Sequence, residues 1–221
     1  MKKENYFNKN NKDKKILEWK KILSNYYSSK KNIKFKKDNA AILIIDMQDY
    51  FLDSSSHAYL PASETITEPI KKLQDAFHSR NKAVFFTKYG LTKGLDDNIM
   101  HKWWNGSLYI DNPLAKISGI FDTNEATVIS KTTYDVFIGT NFLHLLTKLG
   151  YTQLVITGVA THLCCETTAR SAFCYDKNVF LPIDCLATYT EELHLNSLKA
   201  AAHGFAVPTT SKEILEMIDD E

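Results

Sequence analysis

The run from Ala40 to Ile45, AAILII, followed at once by Asp46, constrains this chain more than any other stretch. It has no polar alternation, so a strand built from it offers no face to water and needs cover on both sides. Strands of that kind belong to parallel sheets with helices packed on either side, the product of a βαβ chain path. The rest of the chain supplies that path. Glu68 to Ser79 has helical spacing through Ile70, Leu73 and Phe77, and Ala83 to Thr87 reads as a second strand. Ala126 to Ile129 is a third strand that ends at Lys131, and a helix from Gly139 to Leu149 is stopped by Gly150. Leu154 to Gly158 makes a fourth strand with its helix at Cys164 to Cys174. A fifth strand covers Val179 to Ile183, a helix Glu191 to His203, and a short sixth strand Phe205 to Val207. A last helix, Ser211 to Ile218, is capped by Ser211 with Ile214 and Leu215 inward. The expected fold is α/β, a doubly wound, mostly parallel six-stranded sheet flanked by helices.

Residues before this alternation read differently. Met1 to Lys15 is almost wholly Lys, Asn, Asp and Glu, a composition that repays little of the entropy of ordering, and a flexible tail is expected. Ile16 to Tyr27 has helix-like apolar spacing and could dock on the body or on another subunit; Lys30 to Lys37 reads as a solvated connector. The chain therefore divides into an N-terminal extension with a short helix (1–37) and one domain (38–221). With 27 basic against 26 acidic residues and a formal net charge of +1, no global field argues for nucleic acid or membrane partners. No apolar run is long enough to span a bilayer and the start lacks a hydrophobic signal core, so a cytoplasmic protein is expected. In that compartment Cys164, Cys165, Cys174 and Cys185 are expected as free thiols.

Ligands of open parallel sheets bind beyond the carboxyl ends of the strands. Asp46, Lys131 and Cys164 each fall at or just past such an end, bringing an acid, a base partner and a nucleophile from three separate strands. Each also has a structural reading: a turn residue, a surface charge, a core cysteine. Within LVITGVATHLCCETTARSAF, Leu154 to Phe173, strand, turn and helix follow one another and both cysteines stand at the helix start. The unpaired N–H groups and dipole there favour a thiolate and can hold an oxyanion. Cys165 shares a helical face with Ala169 and Ala172, which suits packing against the sheet, whereas Cys164 follows the turn directly. The segment Thr92 to Asn112 reads as irregular, and its Met100, Trp103 and Trp104 suit a pocket wall or lid as well as core. The seven histidines, His57 and His101 among them, show no paired metal-ligand spacing.

Three stretches, IDMQDYF at Ile45 to Phe51, KTTYDVFIGT at Lys131 to Thr140 and GVATHLCCETTARSAF at Gly158 to Phe173, closely resemble the signatures of the isochorismatase-like cysteine hydrolases. That superfamily includes nicotinamidases, carbamoylsarcosine amidohydrolases and ureidoacrylate amidohydrolases. The resemblance covers Ala40 to the C-terminus and implies a catalytic triad of Asp46, Lys131 and Cys164. It also implies a non-proline cis peptide before Ala160, whose N–H would pair with that of Cys164 as an oxyanion hole. Two departures narrow the activity. Isochorismatases proper lack a cysteine at Cys164 and commonly carry Tyr where this chain has Ala160. Nicotinamidases place an Asp-x-His metal motif after the second strand, where this chain has Lys88, Tyr89 and Gly90.

The resulting expectation is a cysteine hydrolase of a small polar C–N substrate (carboxamide, carbamoyl or ureido), working through a thioester with no metal and no cofactor. Vinyl-ether hydrolysis of the isochorismatase type and a catalytically idle scaffold are the alternatives. Phe51, Trp103, Trp104, Tyr134 and Phe137 are the candidates for the substrate pocket. The partners expected are a small-molecule substrate and further copies of the chain in a homo-oligomer.

Overall fold

Strand β1 (Ala40–Ile45) lies at the middle of the sheet with every residue buried, as its unbroken apolar sequence demands. The computed structural model describes residues 2–27, 33–94 and 98–219. Helix α1 is Lys12–Leu23, α2 Asp49–Leu52, α3 Ser63–His78 and α4 Ile99–Trp104. Helix α5 is Phe142–Lys148, α6 Glu166–Cys174, α7 Glu191–Gly204 and α8 Ser211–Asp219. The strands after β1 are β2 (Val84–Tyr89), β3 (Thr127–Lys131), β4 (Gln153–Val159), β5 (Asn178–Pro182), β6 (Leu186–Ala187) and β7 (Val207–Thr209). The sheet runs β3-β2-β1-β4-β5-β7, with every pairing parallel. From β1 the chain steps outward through β2 and β3, then returns to add β4 on the other side. The direction of winding thus reverses between β1 and β4, and the crevice beyond their carboxyl ends is where such sheets bind ligands.

The six expected strands make up this path. A seventh, β6, pairs with the end of β4 through Gly158↔Leu186 and Val159↔Ala187. Its two residues are too few to produce a readable pattern. Helix α3 starts before the expected Glu68 and contains Pro69, because burial of Ile66, Ile70 and Leu73 on one face outweighs the hydrogen bond that proline cannot donate. In the segment read as irregular, α4 is a short helix, capped where Asn98 Oδ1 accepts from Met100 N at 2.8 Å. The cap of α8 is Thr210 and not Ser211. Thr210 Oγ1 accepts from Glu213 N at 3.2 Å while Glu213 Oε2 accepts from Thr210 N at 2.8 Å, a reciprocal capping box. Ser211 bonds the buried Asp184 instead.

The N-terminal extension also departs from its expected form. Residues 2–11 lie along the body: Glu4 N donates to Tyr189 O at 2.8 Å, Thr188 N donates to the Tyr6 hydroxyl at 3.1 Å, and Tyr6 and Phe7 are buried. Two aromatic side chains among eight polar residues outweigh a composition that, averaged, has no core to offer. Helix α1 spans Lys12–Leu23 and turns Trp19 and Leu23 inward, with the Trp19 ring 4.7 Å from that of His194 and its Nε1 donating to Glu191 at 2.8 Å. Of the two dockings expected for Ile16 to Tyr27, the Trp19 and Leu23 side takes the chain's own body, while Leu17 and Tyr26 stay exposed. Of the lysine-rich connector expected at Lys30 to Lys37, residues 30–32 lie outside the described residues.

Gly158 fixes how closely β1 and β4 approach at their carboxyl ends. Its φ is +107°, and a Cβ there would stand 2.1 Å from the Ile45 carbonyl oxygen, so no side chain fits without moving one strand. Gly158→Ala is expected to destabilise the protein by roughly 3 kcal/mol or more, from positive φ together with overpacking against backbone. Thermal denaturation checks this, and a midpoint within a degree of wild type would show that the strands are not locked together there.

Candidate active site

Three strand ends converge beside that crevice, and each side chain is placed by simple periodicity. β3 is an edge strand on which Ile129 and Lys131, two residues apart, share the inward face, so the lysine follows the core into the interior. Asp46 is the first residue beyond β1, turned by a φ of +50° that aspartate tolerates better than most side chains. Cys164 lies in a single wide π turn, Thr161–Cys165, that joins β4 to α6. Asp46 and Lys131 have fully buried side chains, with Lys131 Nζ 2.7 Å from Asp46 Oδ2 and 3.3 Å from Cys164 Sγ. The same ammonium donates to Thr133 O at 3.0 Å, which uses all three of its protons. Thr87 Oγ1 donates to Asp46 Oδ1 at 2.6 Å and accepts from Asp46 N at 3.1 Å.

Electrostatics follow from this burial. Desolvation pushes the Cys164 thiol up to about 12; the Asp46 charge and hydrogen bond push the same way, and Lys131 opposes them. Burial thus opposes the ionisation that the helix start favours. At neutral pH Cys164 is a thiol whose proton faces a carboxylate, because burial outweighs the ends of nearby helices. Burial also acts against the Lys131 charge, but Asp46 and Cys164 together outweigh it and leave the ammonium harder to deprotonate than an ordinary lysine. Cys165 is 1% exposed and packed in the core, so the two neighbouring cysteines divide as their helical faces predict.

Above Cys164 opens a cavity of about 370 Å³. Of the five side chains expected to line it, Phe51, Trp104 and Tyr134 do so, and Trp104 Nε1 donates to the Tyr134 hydroxyl at 2.8 Å. Trp103 does not: it is 74% exposed, because adjacent residues of α4 point about 100° apart and only Trp104 faces inward. Phe137 does not either, since its ring packs against Phe142 and Tyr175 at 5.2 and 5.1 Å. Ala160 lines the cavity beside Cys164, and the Val159–Ala160 peptide is cis, as the resemblance implies.

Sequence reading missed Tyr50, Tyr89 and Tyr189 in the wall, and Lys3. Burial pushes Tyr89 and Tyr189 up to about 12, so both stay neutral phenols. It also missed Thr87, whose only signal was a hydroxyl at the end of an apolar strand neighbouring β1. Gln48, within the quoted IDMQDYF, ties the ends of β1 and β2 together by accepting from Tyr89 N at 2.8 Å and donating to Tyr89 O at 2.9 Å. Asp135, within KTTYDVFIGT, accepts from Phe137 N at 2.9 Å and from Ser171 of α6, which folds the loop after Lys131 over the site.

Comparison with known proteins agrees with this architecture. Residues 40–213 match the isochorismatase domain model. Nicotinamidase 3 of Arabidopsis thaliana is 35% identical over 172 residues, covering 76% of this chain and 82% of that protein. Enterobactin synthase component B of Escherichia coli (strain K12) is 31% identical over 183 residues, covering 82% of this chain and 64% of that longer protein. Among solved structures, a cysteine hydrolase from Pseudomonas syringae pv. phaseolicola superposes with a TM-score of 0.82 at 21% identity, over 87% of this chain and 99% of that one, a likeness of fold. Carrying the domain match across most of its length, and built on the same sheet, the chain belongs to the isochorismatase family of hydrolases.

Proposed function

We propose that this protein is a cysteine-dependent hydrolase of a small polar C–N compound, a carboxamide, carbamoyl or ureido substrate, acting through a thioester. The observation that carries the reading is the buried Lys131 ammonium, in contact with both Asp46 Oδ2 at 2.7 Å and the cavity-lining Cys164 Sγ at 3.3 Å. A neutral thiol facing a carboxylate needs no standing charge: as sulfur attacks the carbonyl carbon, its proton passes to Asp46 and the carbonyl electron pair moves to oxygen. The Ala160 and Cys164 N–H groups receive that oxyanion. Collapse breaks the C–N bond, and the proton held by Asp46 leaves with the amine. Water then gives a proton to Asp46 and adds to the thioester; breaking the C–S bond returns sulfur to the thiol with that proton and releases the acid. Lys131 holds the carboxylate in place throughout and keeps its charge.

The Asp-x-His metal motif of nicotinamidases has no counterpart in Lys88, Tyr89 and Gly90. Tyr89 N is bonded to Gln48 and the Tyr89 ring lies 5.5 Å from Lys131 Nζ, so the residues there do not fit a metal, and no step passes through one. Among the described residues no group of three His, Cys, Asp or Glu side chains is placed to bind a metal ion. A panel of amides, ureas and carbamoyl compounds assayed for ammonia release tests the proposal. Release by wild type and none by Cys164→Ala is the expected result. Turnover of vinyl ethers alone, or of nothing in the panel, would overturn it.

A further inference from the structure

The cavity wall is chemically lopsided. Among the described residues, the side chains lining the opening above Cys164 are aromatic, apolar or uncharged polar, together with His57 and one lysine, Lys3; no described Asp, Glu or Arg lines it. That residue lies outside the stretch matched by the family domain, residues 40–213. Its position is nevertheless fixed on the body. The next residue, Glu4, donates its N–H to Tyr189 O at 2.8 Å and accepts from Glu191 N at 3.2 Å through its carboxylate. Tyr189 itself lines the cavity. The Lys3 ammonium donates to His57 O, which leaves two further protons to offer. Among the described residues no carboxylate pairs with it, whereas the neighbouring Lys2 is 81% exposed and turned to Glu4 at 3.1 Å. Burial lowers the Lys3 pKa, the mark of an ammonium partly stripped of water without an anion to replace it.

We propose that Lys3 anchors a carboxylate on the substrate, so that the compound admitted to Cys164 is a small anionic amide or ureido acid and the extension before the family domain sets that preference. The inference rests on the cavity being the site of Cys164 chemistry. One lysine among the described residues of a wall without described carboxylates matches one negative charge on the substrate, and an opposing carboxylate would supply the acceptor that the free ammonium protons lack. The arrangement also favours the encounter of anions over neutral isosteres, in a salt-dependent way.

Alkylation of Cys164 tests this without a known substrate. N-Chloroacetylglycine and N-chloroacetyl-β-alanine are compared with their methyl esters, and labelling of the Cys164 peptide is followed by mass spectrometry. Wild type is expected to react about tenfold faster with the carboxylate reagent of the better-fitting length than with its ester, the scale of one charge-assisted hydrogen bond at a partly hydrated site. Lys3→Gln should bring the rate of the carboxylate reagent down to that of its ester, with an unchanged thermal midpoint showing that the fold is intact. Lys3→Arg should keep the preference, and Lys2→Gln should not alter it. Equal rates for acid and ester in wild type, or an undiminished preference in Lys3→Gln, would overturn the anchor. If the Lys3-dependent preference holds but no amide, urea or carbamoyl compound releases ammonia, the hydrolase reading falls and the anchor stands. Hydrolysis of acidic and neutral amides with equal efficiency, unaffected by Lys3→Gln, would remove the anchor and leave the hydrolase.

Discussion

Cys164→Ala is expected to abolish hydrolysis, whereas Cys165→Ala keeps most of it. Both thiols are buried and free, but only Cys164 lines the cavity and touches Lys131. Without sulfur there is no acyl acceptor, and neither Asp46 nor the N–H groups around Ala160 can replace a nucleophile; a loss of at least about 10³-fold in kcat follows if the thioester is obligatory. Cys165 packs in the core, so its truncation leaves a small void and costs on the order of 1 kcal/mol in stability. Steady-state rates and thermal midpoints separate the two variants. Cys164→Ala should melt near wild type and be inactive; Cys165→Ala should melt slightly lower and remain active.

Breaking the Asp46–Lys131 pair should do damage of a second kind. The two charges lie at zero side-chain exposure, so removing either leaves the other in a medium that solvates it poorly. Lys131→Met is expected to lose activity and about 3–5 kcal/mol of stability, since Asp46 would keep only the neutral Thr87 hydroxyl and Cys164 thiol as side-chain partners. Asp46→Asn should lose activity through a different cause, because an amide cannot accept the thiol proton. The double variant Asp46→Asn/Lys131→Met should then be more stable than Lys131→Met alone, since no unpaired carboxylate remains. Chemical denaturation of the three proteins measures this, and a Lys131→Met enzyme with near-normal rate would remove lysine from the mechanism.

What could be read from the sequence followed from how locally each feature is determined. Strands buried on both faces announce themselves by unbroken apolar runs, so β1 and β4 were legible, and with them the points where Asp46 and Cys164 leave the sheet. Lys131 was legible only as the residue just past a short β-branched run, since β3 is an edge strand, two strands out from β1, with one face exposed. Side chains that line the cavity were not, because loops place them. Trp103 and Trp104 are adjacent and alike in sequence, yet the turn of α4 sends one to solvent and the other to Tyr134. Phe137 sits in the same quoted motif as Tyr134 but packs under α5, a choice made by tertiary contacts with Phe142. The environment of Cys164 was legible only in part, since the helix start that favours a thiolate is visible in the sequence but the depth of burial that opposes it is not. Composition hid the N-terminal extension: Tyr6, Phe7 and Trp19 are few among lysines and asparagines, but they are the residues that dock.

The central claim is that Cys164, and no other group, carries the acyl fragment during turnover. Intact mass spectrometry of enzyme quenched while hydrolysing the most active amide of the panel, followed by peptide mapping, addresses it directly. An adduct with the mass of the acyl group on the peptide containing Cys164, localised to that residue and absent from Asp46→Asn, is the predicted result. An adduct on Cys165, or ammonia release by Cys164→Ala, would contradict it.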